Sequence, residues 1–186
     1  MRIAVVVSAT MLPLLVWPAL DAAAQQKAMS DEELIANAIA AAPEAIGAQA
    51  AVVTVDETGE LKTLKQGTNN FTCFPDDPSN PANDPVCVDE NGLEWTKAWI
   101  AKTEPPAGEI GFGYMLQGGS TPSNVEPHAT EPPEGSDYMQ EPPHVMIFNT
   151  GAAMQGYPDP GEHPDMSQPW VMWGGTPYEH LMLPVE

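Results

Sequence analysis

Three short phrases late in the chain place a histidine or tryptophan two residues before a methionine: His144-Val145-Met146, Trp170-Val171-Met172 and His180-Leu181-Met182. Side chains two apart on a strand point to the same face, so each histidine would stand beside its methionine, and neighbouring strands would gather the pairs. Thioether sulfur favours Cu(I) and imidazole suits either copper state, which makes His144, Met146, His180 and Met182 a candidate copper set. The competing expectation is structural, because methionine fills gaps in cores and a histidine at a strand start caps it. A second chemistry is nucleophilic. Ser120 follows Gly118-Gly119 after the strand-like run Ile110 to Gln117, with His144 or His180 as candidate base. The surroundings lack the Gly-x-Ser-x-Gly elbow and the helix that should follow it, so a serine hydrolase ranks third.

The acids point elsewhere. From Thr103 to Glu186 there are 12 Asp and Glu and no Lys or Arg, leaving His128, His144, His163 and His180 as the only side chains there that become cationic near neutral pH. Carboxylates in this half must be solvated, hydrogen-bonded to backbone donors, paired with histidine or bound to a cation. Neither Asp76, Asp77 and Asp84 nor Glu126, Glu131 and Glu134 matches the spaced ligands and central glycine of an EF-hand loop, so calcium is a weaker candidate than copper. Aromatic residues, Tyr114, Trp173 and Tyr178 among them, lie between glycines and prolines in the same half. Such rings hold sugars, peptides or small apolar ligands, or they simply seal loops onto a sheet.

The whole chain of 186 residues carries a formal charge of −20. That field excludes nucleic acid as a partner and favours neutral or cationic small ligands over anionic ones. With 42% hydrophobic and 17% charged residues, the chain can bury a core.

Elements that would position these side chains are legible in outline. Ser30 and Glu33 have the spacing of a capping box ahead of the stripe Leu34, Ile35, Ala38, Ile39 and Ala42, and Pro43 stops that helix. Ala51 to Val55 and Leu61 to Leu64 flank the turn Asp56-Glu57-Thr58-Gly59 as a hairpin. Asp89 to Lys102 reads as a second helix in which Trp95 and Trp99 share a side, with core packing the default role for the pair. Strand-like runs follow at Ile110 to Leu116, His144 to Phe148, Trp170 to Trp173 and His180 to Val185, separated by long Pro- and Gly-rich loops. The expectation is a single α+β domain over 25–186, with a small antiparallel or mixed sheet of five to six strands and two helices.

Residues 1–24 have the layout of a cleavable secretory signal: Arg2, an apolar run from Ile3 to Trp17, then small residues at Ala22 to Ala24. No later run approaches membrane-span length. Cleavage would deliver the product to the periplasm or outside the cell, where Cys73 and Cys87 would form a disulfide. The segment between them, Phe74 to Val86, holds four prolines and reads as a stapled surface loop.

Several phrases carry a resemblance: Gly67-Thr68-Asn69-Asn70-Phe71-Thr72-Cys73, Asn83-Asp84-Pro85-Val86-Cys87, Tyr114 to Ser120, Pro142-Pro143-His144-Val145-Met146, and Trp173 to Met182. In these the chain resembles a group of uncharacterised secreted bacterial proteins, from about Ile35 to the C-terminus. The resemblance implies a secreted bacterial protein of the same fold and carries over no catalytic role. The leading expectation is therefore a non-catalytic binding or structural protein of the bacterial envelope.

Overall fold

The computed structural model describes residues 29–185, so the expected signal segment lies outside the described residues. Helix α1 (Asp31–Ile39) starts on the capping box: Ser30 Oγ accepts from the Glu33 amide while the Glu33 carboxylate accepts from the Ser30 amide. A one-turn helix α2 (Glu44–Gly47) follows Pro43. Strands β1 (Ala51–Val55) and β2 (Leu61–Lys65) form the expected hairpin. Next come β3 (Thr72–Phe74), β4 (Val86–Val88) and helix α3 (Glu90–Ile100). The second half holds β5 (Gly111–Met115), β6 (Gly119–Thr121), β7 (Met139–Glu141), β8 (His144–Phe148), β9 (Trp170–Met172) and β10 (His180–Pro184).

Eight strands make one sheet in the order β2-β1-β3-β4-β5-β8-β10-β9, and β6 pairs with β7 in a separate two-stranded ribbon. Only β1–β3 is parallel, so the sheet is mixed. The class is α+β as expected, but a count of five to six strands and two helices is too low. The missed strands β3, β4, β6 and β7 have three residues each, too few for an alternation of polar and apolar residues to show. The Phe74 to Val86 segment is likewise tied into the sheet at both ends. Cys73 and Cys87 are directly opposed on β3 and β4, are disulfide-bonded, and are both fully buried.

Alternation along the strands sorts the core into two layers. One face carries Val53, Phe74, Val88, Met146, Phe148, Met172 and Met182 against α3, whose Trp95 stacks on Phe148 at 4.4 Å. The other packs Val52 and the disulfide against Ala38, Ala41 and Ala42, at the end of α1 and just beyond it. Two glycines let α3 approach β5: a Cβ on Gly111 would fall 2.4 Å from the Gly92 nitrogen, and one on Gly92 3.0 Å from the Phe112 carbonyl oxygen. Asp89 fixes that approach, because its Oδ1 accepts from the Gly92 amide at 2.8 Å, capping α3, and from the Phe112 amide at 3.0 Å, holding β5. No helix of the described residues is long and apolar enough to cross a membrane.

Replacing Asp89 by Ala removes both contacts and is expected to lower unfolding stability by about 1–2 kcal/mol. Urea denaturation of the variant beside wild type measures it, and a change below about 0.3 kcal/mol would show that the cap is not what seats α3.

Candidate functional site

The face bearing α3 is not closed over its whole length. A groove of about 960 Å³ runs across it, floored by the sheet and walled by α3, the 75–84 segment and the 120–130 loop. The His-x-Met strands meet on this floor. In the antiparallel register Met146 faces Met182, while His180 pairs with Phe148 and His144 with Pro184. The methionines are thus gathered and the histidines are set apart, at opposite ends of the pairing. Four strand positions separate the two histidine backbones, about 13 Å.

Each imidazole is fixed in the same local way. His144 Nδ1 donates to the Pro142 carbonyl at 2.7 Å and His180 Nδ1 to the Tyr178 carbonyl at 2.8 Å, two residues back in both cases. This is the strand-start role of the structural expectation, and it leaves each Nε2 as a lone pair. Burial disfavours the charged ring in both: His144 is pushed below its ordinary range, and His180 down to about 4. Both histidines are therefore neutral at neutral pH. Only His180 reaches the groove. Among the described residues no group of three or more His, Cys, Asp or Glu is placed to hold a metal ion.

One wall of the groove is aromatic. Phe148, Trp95, Trp173, Trp99 and His128 follow one another as near-parallel rings, with successive interplanar angles of 25°, 4°, 12° and 21° and centroid spacings from 4.4 to 6.1 Å. Tyr178 stands edge-on to Trp95 and to His128, and its hydroxyl donates to the Thr103 carbonyl. Trp173 occupies the left-handed backbone region, at φ 55°. That conformation costs a bulky residue on the order of 1–3 kcal/mol and persists only where the surroundings fix it. Here the Trp173 amide donates to the Asn124 carbonyl at 2.7 Å and its indole N–H to the Ser123 carbonyl at 3.1 Å. Asn124 is itself fully buried and donates to the carbonyls of Gly161 and Val171. Trp95 differs from its neighbours, since its indole N–H is buried with no acceptor. Of the aromatic residues expected to hold a ligand, Trp173 lines the groove, and Tyr178 packs against these rings without lining it. Tyr114 does neither: it lies on the opposite face, against Phe71.

The other end of the groove is acidic. Asp84 and Glu141 both line it, on either side of Gly119, where a Cβ would sit 3.3 Å from Asp84 Cβ and 3.4 Å from Glu141 Oε2. Burial lifts the Asp84 carboxyl to about 6, against hydrogen bonds from the Asp77 amide and Asn80 and with the Asp76 carboxyl adding to the rise. The Glu141 side chain is 5% exposed, and burial, then the charge of Asp84, lifts it to about 8. No hydrogen bond contributes to that shift. His144 Nε2, buried and with no hydrogen-bond partner among the described residues, lies 3.9 Å from Glu141 Oε2. Ser120 sits in this neighbourhood, but its hydroxyl donates to Asn80 Oδ1 at 2.9 Å and not to an imidazole. Glu141 was the residue least visible in the sequence. Its only signal was its position three before His144 in a half of the chain with no fixed cation.

No family of known proteins, no curated protein and no solved structure matches this chain.

A carboxyl that keeps its proton in the fold up to about pH 8, against an ordinary 4.5, makes the folded state lose ground as pH rises through that window, because only the unfolded chain releases the proton freely. Glu141→Gln removes this dependence. Its melting midpoint should lie near that of wild type at pH 5 and several degrees above it at pH 8.5. A gap that is equal at both pH values would contradict the buried, proton-holding carboxyl.

Proposed function

We propose that this is a secreted, non-catalytic binding protein whose groove takes a small ligand with an apolar or aromatic body, neutral or cationic. The observation that carries the reading is the aromatic wall, a run of parallel rings beside a cavity of about 960 Å³ in which the buried Trp95 N–H has no acceptor among the described residues. A volume of that size is what small-molecule sites typically enclose, with mostly apolar walls and a few fixed polar groups. The strained Trp173 and the fully buried Asn124 beneath it support a wall held in one arrangement before any ligand arrives. Charge supports the ligand class. The Lys97–Glu94 contact is the one ion pair of a lysine among the described residues, and the negative field repels anions. The disulfide fits an oxidising compartment, as does the secretory layout of the first residues.

Two features count against the other readings. The β8–β10 register puts the imidazoles on opposite sides of the methionine pair, which leaves one copper ion without both of them. Ser120 has no base in hydrogen-bond contact.

Tryptophan fluorescence of the protein titrated with the neutral probe 4-phenylbutanol tests the proposal. Saturable quenching is expected, with affinity falling at least tenfold in Trp99→Ala, whose half-buried ring lines the groove. The absence of a saturable change, or the same affinity in the variant, would overturn it.

A further inference from the structure

Three groups at the acidic end share one property: each accepts hydrogen bonds and none supplies a proton to the others at high pH. The Glu141 side chain is buried, and no hydrogen bond reaches its carboxyl among the described residues. Asp84 lines the same groove beside Gly119, accepts from the Asp77 amide and from Asn80, and is itself crowded by Asp76. His144 has spent its only N–H on Pro142 and turns a buried lone pair toward Glu141 at 3.9 Å. No Lys or Arg follows Lys102 in the chain; Lys102 lines the groove from the end of α3, while Lys65 is engaged on the carbonyls of Ala48 and Ala50 and Lys97 on Glu94. Removing a carboxyl from water without a partner costs several kcal/mol, and an apolar side chain at position 141 would avoid that cost. Retaining Glu141 there, next to a second acid on one groove wall, is what a site for a cation brought by a ligand requires.

An organic cation suits this end better than a metal ion, because among the described residues no group of three or more His, Cys, Asp or Glu is placed to hold one. The groove beyond is apolar and aromatic, which suits a body attached to such a cation.

We propose that the acidic end of the groove, formed by Asp84 and Glu141 with His144 behind them, seats a protonated amine, so that the ligand is an amphiphilic amine. Its ammonium group donates to the two carboxylates and its apolar or aromatic body lies along Trp95, Trp173 and Trp99. This rests on the groove being a binding site. The bound ammonium needs Glu141 ionised, so below about pH 8 its arrival displaces the Glu141 proton to solvent, with Asp84 and His144 as the groups facing that carboxyl and Asp76 facing Asp84. Amine affinity therefore rises between pH 6 and pH 8, by up to about tenfold per unit, and falls again near pH 10 as the amine itself deprotonates.

Isothermal titration of the full chain with 4-phenylbutylamine, 4-phenylbutanol and 4-phenylbutyrate at pH 7.5 tests the assignment. The amine is expected to bind at least tenfold more tightly than the alcohol, and the carboxylate at least tenfold more weakly. Glu141→Gln, which keeps the side-chain shape, should weaken the amine at least tenfold, and Asp84→Asn should weaken it as well. If the alcohol matches the amine in wild type, or the Gln variant retains the preference, the amine seat is wrong and the groove stands. If none of the three binds, both fall.

Discussion

A chain with no lysine or arginine after Lys102 must settle twelve carboxyls without a fixed cation, and the second half of this structure is arranged around that constraint. Most of those acids meet it at the surface or by accepting from local backbone amides, as Asp159 and Asp165 do. Glu162 takes the hydroxyl of Ser123 and the amide of Asn124, and through them braces the loop beneath Trp173. Glu141 meets it in neither way. It is buried beside a second acid and a neutral imidazole, and so it holds its proton well above the usual carboxylate range.

The sheet makes that arrangement possible. Antiparallel pairing of β8 with β5 and β10 brings His144, Met146, Phe148, His180 and Met182 onto one face, with Gly113 leaving room for Met146 and Phe148 and Gly111 for α3. Trp95 and Trp99 then hang from α3 over the same floor, and Trp173 enters between them in the series of rings from the end of β9. A wall of rings and a patch of acids come to border one groove because two short chain segments, 75–84 and 120–130, cover the rest of the face.

Much of this could be read in the sequence, and the gaps have physical causes. The capping box at Ser30, the α3 stripe and the strands at Ala51–Val55 and His144–Phe148 all show in residue type and period, and all occur. Strands of three residues such as Thr72–Phe74 have no period to detect, and exist because their neighbours pair with them. The same-face placement of His144 with Met146 followed from strand alternation, but the four-residue offset between His144 and His180 depends on the register of β8 with β10. Nothing local sets that register. Tyr114 and Trp173 look alike as aromatic residues among glycines, and only the strand phase of Tyr114 sends it to the opposite face. The scarcity of cations pointed to carboxylates in need of partners. It did not single out Glu141, whose burial comes from β6, β8 and the 75–84 segment closing around it.

The character of the groove depends on the Glu141 side chain, and its protonation can be observed directly. A carbon-13 NMR titration of the Glu141 carboxyl in the ligand-free protein, assigned by comparison with Glu141→Gln, should show a midpoint near 8. A midpoint near the ordinary 4.5 would mean a solvated or already partnered carboxylate, and would contradict the reading of this groove as a site that waits for a cation.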